Sequence, residues 1–274
     1  MDDVPIYVPN KSIKFLDQLR AFIRFRQLSY ATEKTYIHWV KRFIYFHGKR
    51  HPLELGTEVL ERFLTHLSTR RAASVNTQNV VLNALIFMYR EFLQKPIKDL
   101  NYSYAKPTQR IPTVLSHTET CQIVSKLDGI YHLIFSLLYG VRIAECLNLR
   151  ILDIDFEVTA LFVRAGKGRK DRTTLLPASQ VEQRRNQINY VTMLHKQDLQ
   201  NGFGEVYLPY ALTKKSPNVA KELKWQFLFP ASKVVQDPRS GILRQHHLHP
   251  SAISKSLKRV VRKWLAHCGQ GGCG

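Results

Sequence analysis

Four times between Ser12 and Pro96, apolar residues recur at three- and four-residue intervals, with turn chemistry between the runs. That spacing commits the first hundred residues to a compact unit of four helices. The first run is Ile13, Phe15, Leu16, Leu19, Phe22, Ile23 and Phe25. Leu28-Ser29-Tyr30 breaks it, and Thr32 is placed to cap a second helix over 33–46. Tyr36, Ile37, Val40, Phe43, Ile44 and Phe46 form the apolar side of that helix, and Lys34, His38, Lys41 and Arg42 the opposite side. A helix packed on one side and facing phosphate on the other shows this alternation; so does an ordinary solvated helix. Gly48-Lys49-Arg50-His51-Pro52 is a basic turn, and a third helix is predicted over 57–68. The fourth starts at Ser74 or Asn76 and stops before Pro96, which lacks the N–H a helix needs.

Residues 1–11 read as a leader, and 97–115 as a basic, proline-punctuated linker with Lys106 and Arg110. Ser116 or Thr118 caps the next helix, with Glu119 in its first turn. The apolar run 130–139 reads as a buried helix ending in a Gly140 turn. Arg142 then opens another amphipathic stretch. A guanidinium fixed at a helix start suits a phosphate, because its donors are planar and paired; a plain surface arginine fits the local sequence as well. The period then shortens to that of strands, at 151–156, 160–163 and 173–176. Gly166 and Gly168 flank Lys167 at a hairpin tip, with Arg169, Lys170 and Arg172 beside it. The tip reads either as a solvated basic turn or as a lysine presented to a phosphate or a leaving oxygen. A polar helix over 178–200, an irregular stretch over 201–250 and a basic helix over 253–265 follow. The irregular stretch holds two aromatic pieces, one around Tyr207 and one around Trp225 and Phe227, and the histidines 246, 247 and 249. These histidines lack a second ligand pair at metal-binding spacing, so no metal or other cofactor is expected. The tail 267–274 has no periodicity and reads as disordered.

Charge narrows the partner. The chain of 274 residues carries a net charge of +20. Residues 1–100 hold 16 Lys/Arg against 9 Asp/Glu, and 101–274 hold 25 against 12, so both parts are basic. A polyanion touching both is the simplest partner. No apolar run is long enough to span a bilayer. Four scattered cysteines form no disulfide framework, which suits a cytoplasmic protein. No carboxylate cluster suggests a metal nuclease. The fold class read from the pattern is mainly α with a small antiparallel β-sheet.

With those residues in view, the chain resembles the tyrosine recombinases, and among them the integron integrases. Residues 35–52 resemble that family's SAM-like core-binding domain, and 137–156 its first catalytic block, in which Arg142 matches the first active-site arginine. Gly166-Lys167-Gly168 resembles the hairpin that carries the catalytic lysine. The stretch 207–249 resembles the insertion of the integron type. The resemblance implies a core-binding domain over 12–96 and a catalytic domain over 116–274, with the insertion at about 202–250. It also implies strand breakage and rejoining through a phosphotyrosine, and double-stranded DNA and folded single-stranded recombination sites as partners. Lys34, His38, Lys41, Arg42, Lys49, Arg50, Lys106, Arg110, Arg169, Lys170, Arg172, Trp225, His246 and His247 are the expected DNA contacts. Trp225 and His247 fall where extrahelical bases would stack. Intact members assemble as homo-oligomers on DNA.

Two departures accompany the resemblance. After the hairpin no His-x-x-Arg occurs, and the last tyrosine is Tyr210, so the block carrying the nucleophile is absent. The chain therefore reads as a truncated or frame-shifted member whose catalytic domain is incomplete. Whether it acts as an enzyme stays open, with a non-catalytic DNA-binding remnant as the alternative. Loss of the later helices is expected to leave apolar residues of 130–139 uncovered. The second departure is the turn before Arg142. The family pattern is Gly-x-Gly-Leu-Arg, and here only Val141 separates Gly140 from Arg142. Two missing residues would swing Arg142 by roughly 200° if the helix ran on, and would shorten the turn if it did not.

Overall fold

The computed structural model describes residues 13–70, 72–95, 97, 114–164, 170–175, 180–208, 212 and 217–268. The chain divides into two compact units, Met1–Pro112 and Thr113–Gly274. Lys106, Arg110, Lys167, Arg169, the expected leader, most of the linker and residues 269–274 of the tail lie outside the described residues.

The first unit contains α1 (Phe15–Phe25), α2 (Tyr30–Phe46), α3 (Thr57–Thr69) and α4 (Val75–Ile86), the last continued by a π-helical segment, Phe87–Phe92. Leu19, Ile23, Val40, Phe43, Leu64, Leu82 and Met88 meet in one core, each fully buried or nearly so. Burying such side chains contributes about 2 kcal/mol apiece, enough to specify the bundle. Ser29, not Thr32, caps α2: its Oγ accepts the backbone N–H of Thr32 at 3.1 Å. Helix α2 therefore starts three residues before the expected Glu33. Glu33 is buried instead of leading the helix, and Arg24 grips its carboxylate with two bonds of 2.9 and 3.1 Å. The π-helical segment keeps Met88, Tyr89 and Phe92 all turned inward, and the Tyr89 hydroxyl donates to Pro52 O at 3.2 Å.

The second unit opens with α5 (His117–Ser125), capped as expected by Ser116 and Glu119. Helices α6 (Gly129–Leu137) and α7 (Ile143–Leu147) follow. Strands β1 (Ile154–Asp155), β2 (Ala160–Val163) and β3 (Arg172–Leu175) form an antiparallel sheet in that order. The first expected strand is shorter, because Ile151–Asp153 forms a 3-10 turn. After α8 (Val181–Gln200), the stretch expected to be irregular contains two 3-10 turns and a second antiparallel pair, β4 (Pro230–Gln236) and β5 (Leu243–His247). The register of that pair shifts between Pro230 and Val234, so strict alternation is lost and the sequence hides it. Helix α9 (Pro250–Cys268) closes the unit.

Leu133, Ile134 and Leu137 of α6 pack with Leu147, Val163, Phe229 and Ile253 of α9. Val260 and Trp264 of α9 pack with Ile123 of α5 and with Leu127 just beyond its end. The apolar face of α6 is thus covered, contrary to expectation, because α9 lies over it. The exposed member of that run is Tyr139, beyond the helix end.

Candidate nucleic-acid interface

The apolar helix does not run on through the short turn. It ends at Leu137, and Leu138 to Val141 reverse the chain, with Val141 N bonded to Leu137 O at 3.2 Å and its side chain buried. Gly140 makes the turn possible: a β-carbon there would lie 2.8 Å from Thr174 Oγ1 on β3. Arg142 takes extended backbone angles and starts α7. Its backbone N–H donates to Glu145 Oε2 at 2.8 Å, which ties down a helix end that has no other cap.

Glu145 is the centre of this site. Its side chain is 8% exposed, and both oxygens are shared. Arg142 Nη1 donates to Oε1 at 2.9 Å. From β3, Arg172 donates Nη1 to Oε1 at 2.9 Å and Nη2 to Oε2 at 2.8 Å. Arg172 Nη2 also reaches Gly140 O at 3.2 Å. The Arg172 guanidinium, helped by Arg142, holds the Glu145 carboxyl far below the usual carboxylate range, against the opposing effect of burial. The Arg142 side chain remains 59% exposed. With Lys170 and Arg172 it lines an open cleft of about 650 Å³ whose other walls include Tyr139, Gly140 and Asp171. Three cations around one cleft suit an anion of phosphate size.

A second cluster forms around Arg150. Its guanidinium lies 4.5 Å from the centre of the Phe227 ring and 5.7 Å from that of Trp225. It donates to Trp225 O at 2.5 Å and Tyr207 O at 2.7 Å. Burial pulls its pKa down to about 10. The His247 ring stands edge-on to Phe227 at 5.4 Å, and its Nδ1 lies 2.8 Å from Leu248 O. Burial lowers the pKa of the neighbouring His246. Trp225, Phe227 and His247 therefore come together: Phe227 is buried between Arg150 and His247, and Trp225 and His247 are partly covered. Trp225 Nε1 is buried without a partner among the described residues, and its ring packs on the cluster of Val206, Leu208 and Ala220. Among the described residues no group of three His, Cys, Asp or Glu side chains is placed to hold a metal.

In the first unit Lys34, His38 and Lys41 share the exposed face of α2. Lys41 and Lys49 both lie over the Tyr45 ring, at 5.7 and 5.6 Å, and Arg42 lies 4.8 Å from the Trp39 ring. Lys49 follows the helix in the left-handed turn with Gly48, and Arg50 is exposed beside it. Tyr45 and Trp39 escape sequence reasoning, although an aromatic one turn from a lysine is the readable signal. Lys255, Lys258, Arg259, Arg262 and Lys263 of the expected basic helix are all exposed, at spacings that put them on one face, and α9 runs three residues further at each end than expected.

Comparison with known proteins bears on both units. Residues 15–99 match the phage integrase N-terminal SAM-like domain, and residues 109–267 match the phage integrase family. The chain belongs to the phage integrase family of tyrosine recombinases. An integrase/recombinase of Escherichia coli is 39% identical over 258 residues, which span 93% of this chain and 77% of that protein. The tyrosine recombinase XerA of Thermococcus onnurineus is 31% identical over 173 residues, 61% of this chain and 58% of that one. Among solved structures, the Tn1549 transposon integrase in complex with transposon right end DNA has the same fold, with a TM-score of 0.50 and 15% identity over 94% of this chain and 80% of that one. Within this recombinase family the mainly helical architecture with small antiparallel sheets is as expected. Among the described residues no helix is long and apolar enough to cross a membrane.

Proposed function

We propose that these 274 residues form the DNA-gripping part of an integron-type site-specific recombinase and do not themselves break a DNA strand. The observation that carries the reading is the cleft in which Arg142, Lys170 and Arg172 surround an open volume, with Arg142 held at the start of α7. A DNA phosphodiester seated there would accept from Arg142. The exposed cations of α2 and α9 support a long polyanion as partner, since each can neutralise a further phosphate. The DNA complex of the Tn1549 integrase supports the same partner. Duplex DNA and folded single-stranded sites are the proposed substrates, and the partly exposed Trp225 and His247 support the second. Residence in the cytoplasm, where Cys121 and Cys146 stay unpaired, and assembly of copies on DNA belong to the same proposal.

The catalytic part rests on side chains these residues do not include. Attack on the phosphate needs a tyrosine oxygen, and the last tyrosine in the sequence, Tyr210, precedes α9 with no His-x-x-Arg after it. Arg142 alone can polarise a phosphate without displacing its 5′-oxygen. A nicked suicide substrate tests this directly. The expected result is salt-sensitive binding with no covalent protein–DNA adduct. A phosphotyrosyl adduct would overturn the non-catalytic reading, and salt-independent affinity would overturn DNA as the partner.

A further inference from the structure

Arg172 stands among the cations of the cleft, and as a free arginine it would be one more phosphate contact. Its geometry says otherwise. Both terminal nitrogens are spent on Glu145, one on each oxygen, and Nη2 is shared with Gly140 O. Glu145 in turn holds both the backbone N–H and the guanidinium of Arg142. One carboxylate therefore joins β3 to the reversed turn and to the exposed arginine. Among the described residues Arg142 uses one guanidinium nitrogen, and its side chain stays 59% exposed toward the cleft.

We propose that Arg172 is a positioning residue: it fixes Glu145 and the Gly140 carbonyl, and through them aims Arg142 at a DNA phosphate. This rests on the reading of the cleft as a phosphate site. The short turn makes the device necessary. With one residue between Gly140 and Arg142, no spare backbone is left to orient the arginine, and the orientation is supplied from β3 instead. A guanidinium is required at 172, because a lysine keeps the charge but cannot grip two carboxylate oxygens and a carbonyl together.

The test measures DNA affinity of the full chain against salt concentration for wild type, Arg142→Gln, Arg172→Lys, Glu145→Gln and the double variant Arg142→Gln/Arg172→Lys. Loss of one phosphate contact lowers the slope of log affinity against log salt by about 0.9. Arg142→Gln is expected to lose that amount, with affinity falling roughly tenfold. Arg172→Lys is expected to lose as much although the charge is kept, and the double variant no more than either single. Glu145→Gln removes a negative charge next to two cations of the cleft, so simple electrostatics predicts tighter binding; positioning predicts weaker binding. It also keeps the proposal open to refutation if Arg172→Lys fails to fold, which thermal melting reports. A wild-type slope in Arg172→Lys, or tighter binding by Glu145→Gln, overturns the positioning role while the phosphate site stands. An unchanged slope in Arg142→Gln overturns the phosphate site and the inference with it.

Discussion

Arg142-Ile143-Ala144-Glu145 and Arg150-Ile151-Leu152-Asp153 are two versions of one device. Each arginine has extended backbone angles and donates its N–H to the acid three residues on, at 2.8 Å in the first and 2.9 Å in the second. Each acid is largely buried and ion-paired with an arginine of the β2–β3 hairpin: Glu145 with Arg172, and Asp153 with Arg164 at 2.6 Å. The two differ in where the leading arginine goes. Arg150 is folded under Trp225 and Phe227, and its donors are used on two backbone carbonyls. Arg142 faces an open cleft. An Arg-x-x-acid turn is therefore a structural unit first, and whether its arginine can meet a ligand depends on whether a later segment of the chain covers it.

Breaking the covered version should cost the most stability. Asp153→Ala strands the Arg150 N–H and the Arg164 guanidinium, and is expected to destabilise the second unit by about 2–3 kcal/mol, read as a lower urea midpoint. Arg150→Met keeps much of the aromatic packing but leaves the carbonyls of Trp225 and Tyr207 unpaired, for a loss of about 2 kcal/mol. Neither change should alter the salt slope that depends on Arg142. Gly140→Ala pushes a methyl against Thr174 and should cost about 1 kcal/mol, with weaker DNA binding because the turn shifts. Arg142→Gln should change stability by less than about 0.5 kcal/mol, since the Arg142 side chain is mostly exposed and Glu145 keeps its two bonds from Arg172. Equal destabilisation by Arg150→Met and Arg142→Gln would dissolve the contrast.

Acid sharpens the comparison at its smallest scale. The folded Glu145 carboxyl titrates below its ordinary value of 4.5. Its contribution is complete above that pH and is lost as the pH falls further, because the unfolded chain then binds the proton more readily. The urea midpoint of the second unit should hold steady from neutrality to about pH 5 as far as Glu145 is concerned, and fall below about pH 4.5. Glu145→Gln should fall less steeply in that range.

The helices and the sheet around 160–175 are legible in sequence because each rests on local signals. Ser116 and Glu119 announce a helix start, and the buried Leu161 and Val163 flank the exposed Phe162. The Gly140 turn is legible as a shortening, but only contact with Thr174 decides that the chain reverses there. What sequence does not reveal depends on distant partners. Glu145 and Asp153 look like ordinary surface acids until strands bring Arg172 and Arg164 to them. Trp225 reads as an exposed stacking group, and it is Arg150, 75 residues away, that covers it. The β4–β5 pair is obscured by Pro230 and by its register shift.

Arg164 and Arg172 stand at the two feet of the hairpin, next to and at the cross-strand pair Val163–Arg172. Their carboxylate partners anchor both feet to the body of the unit.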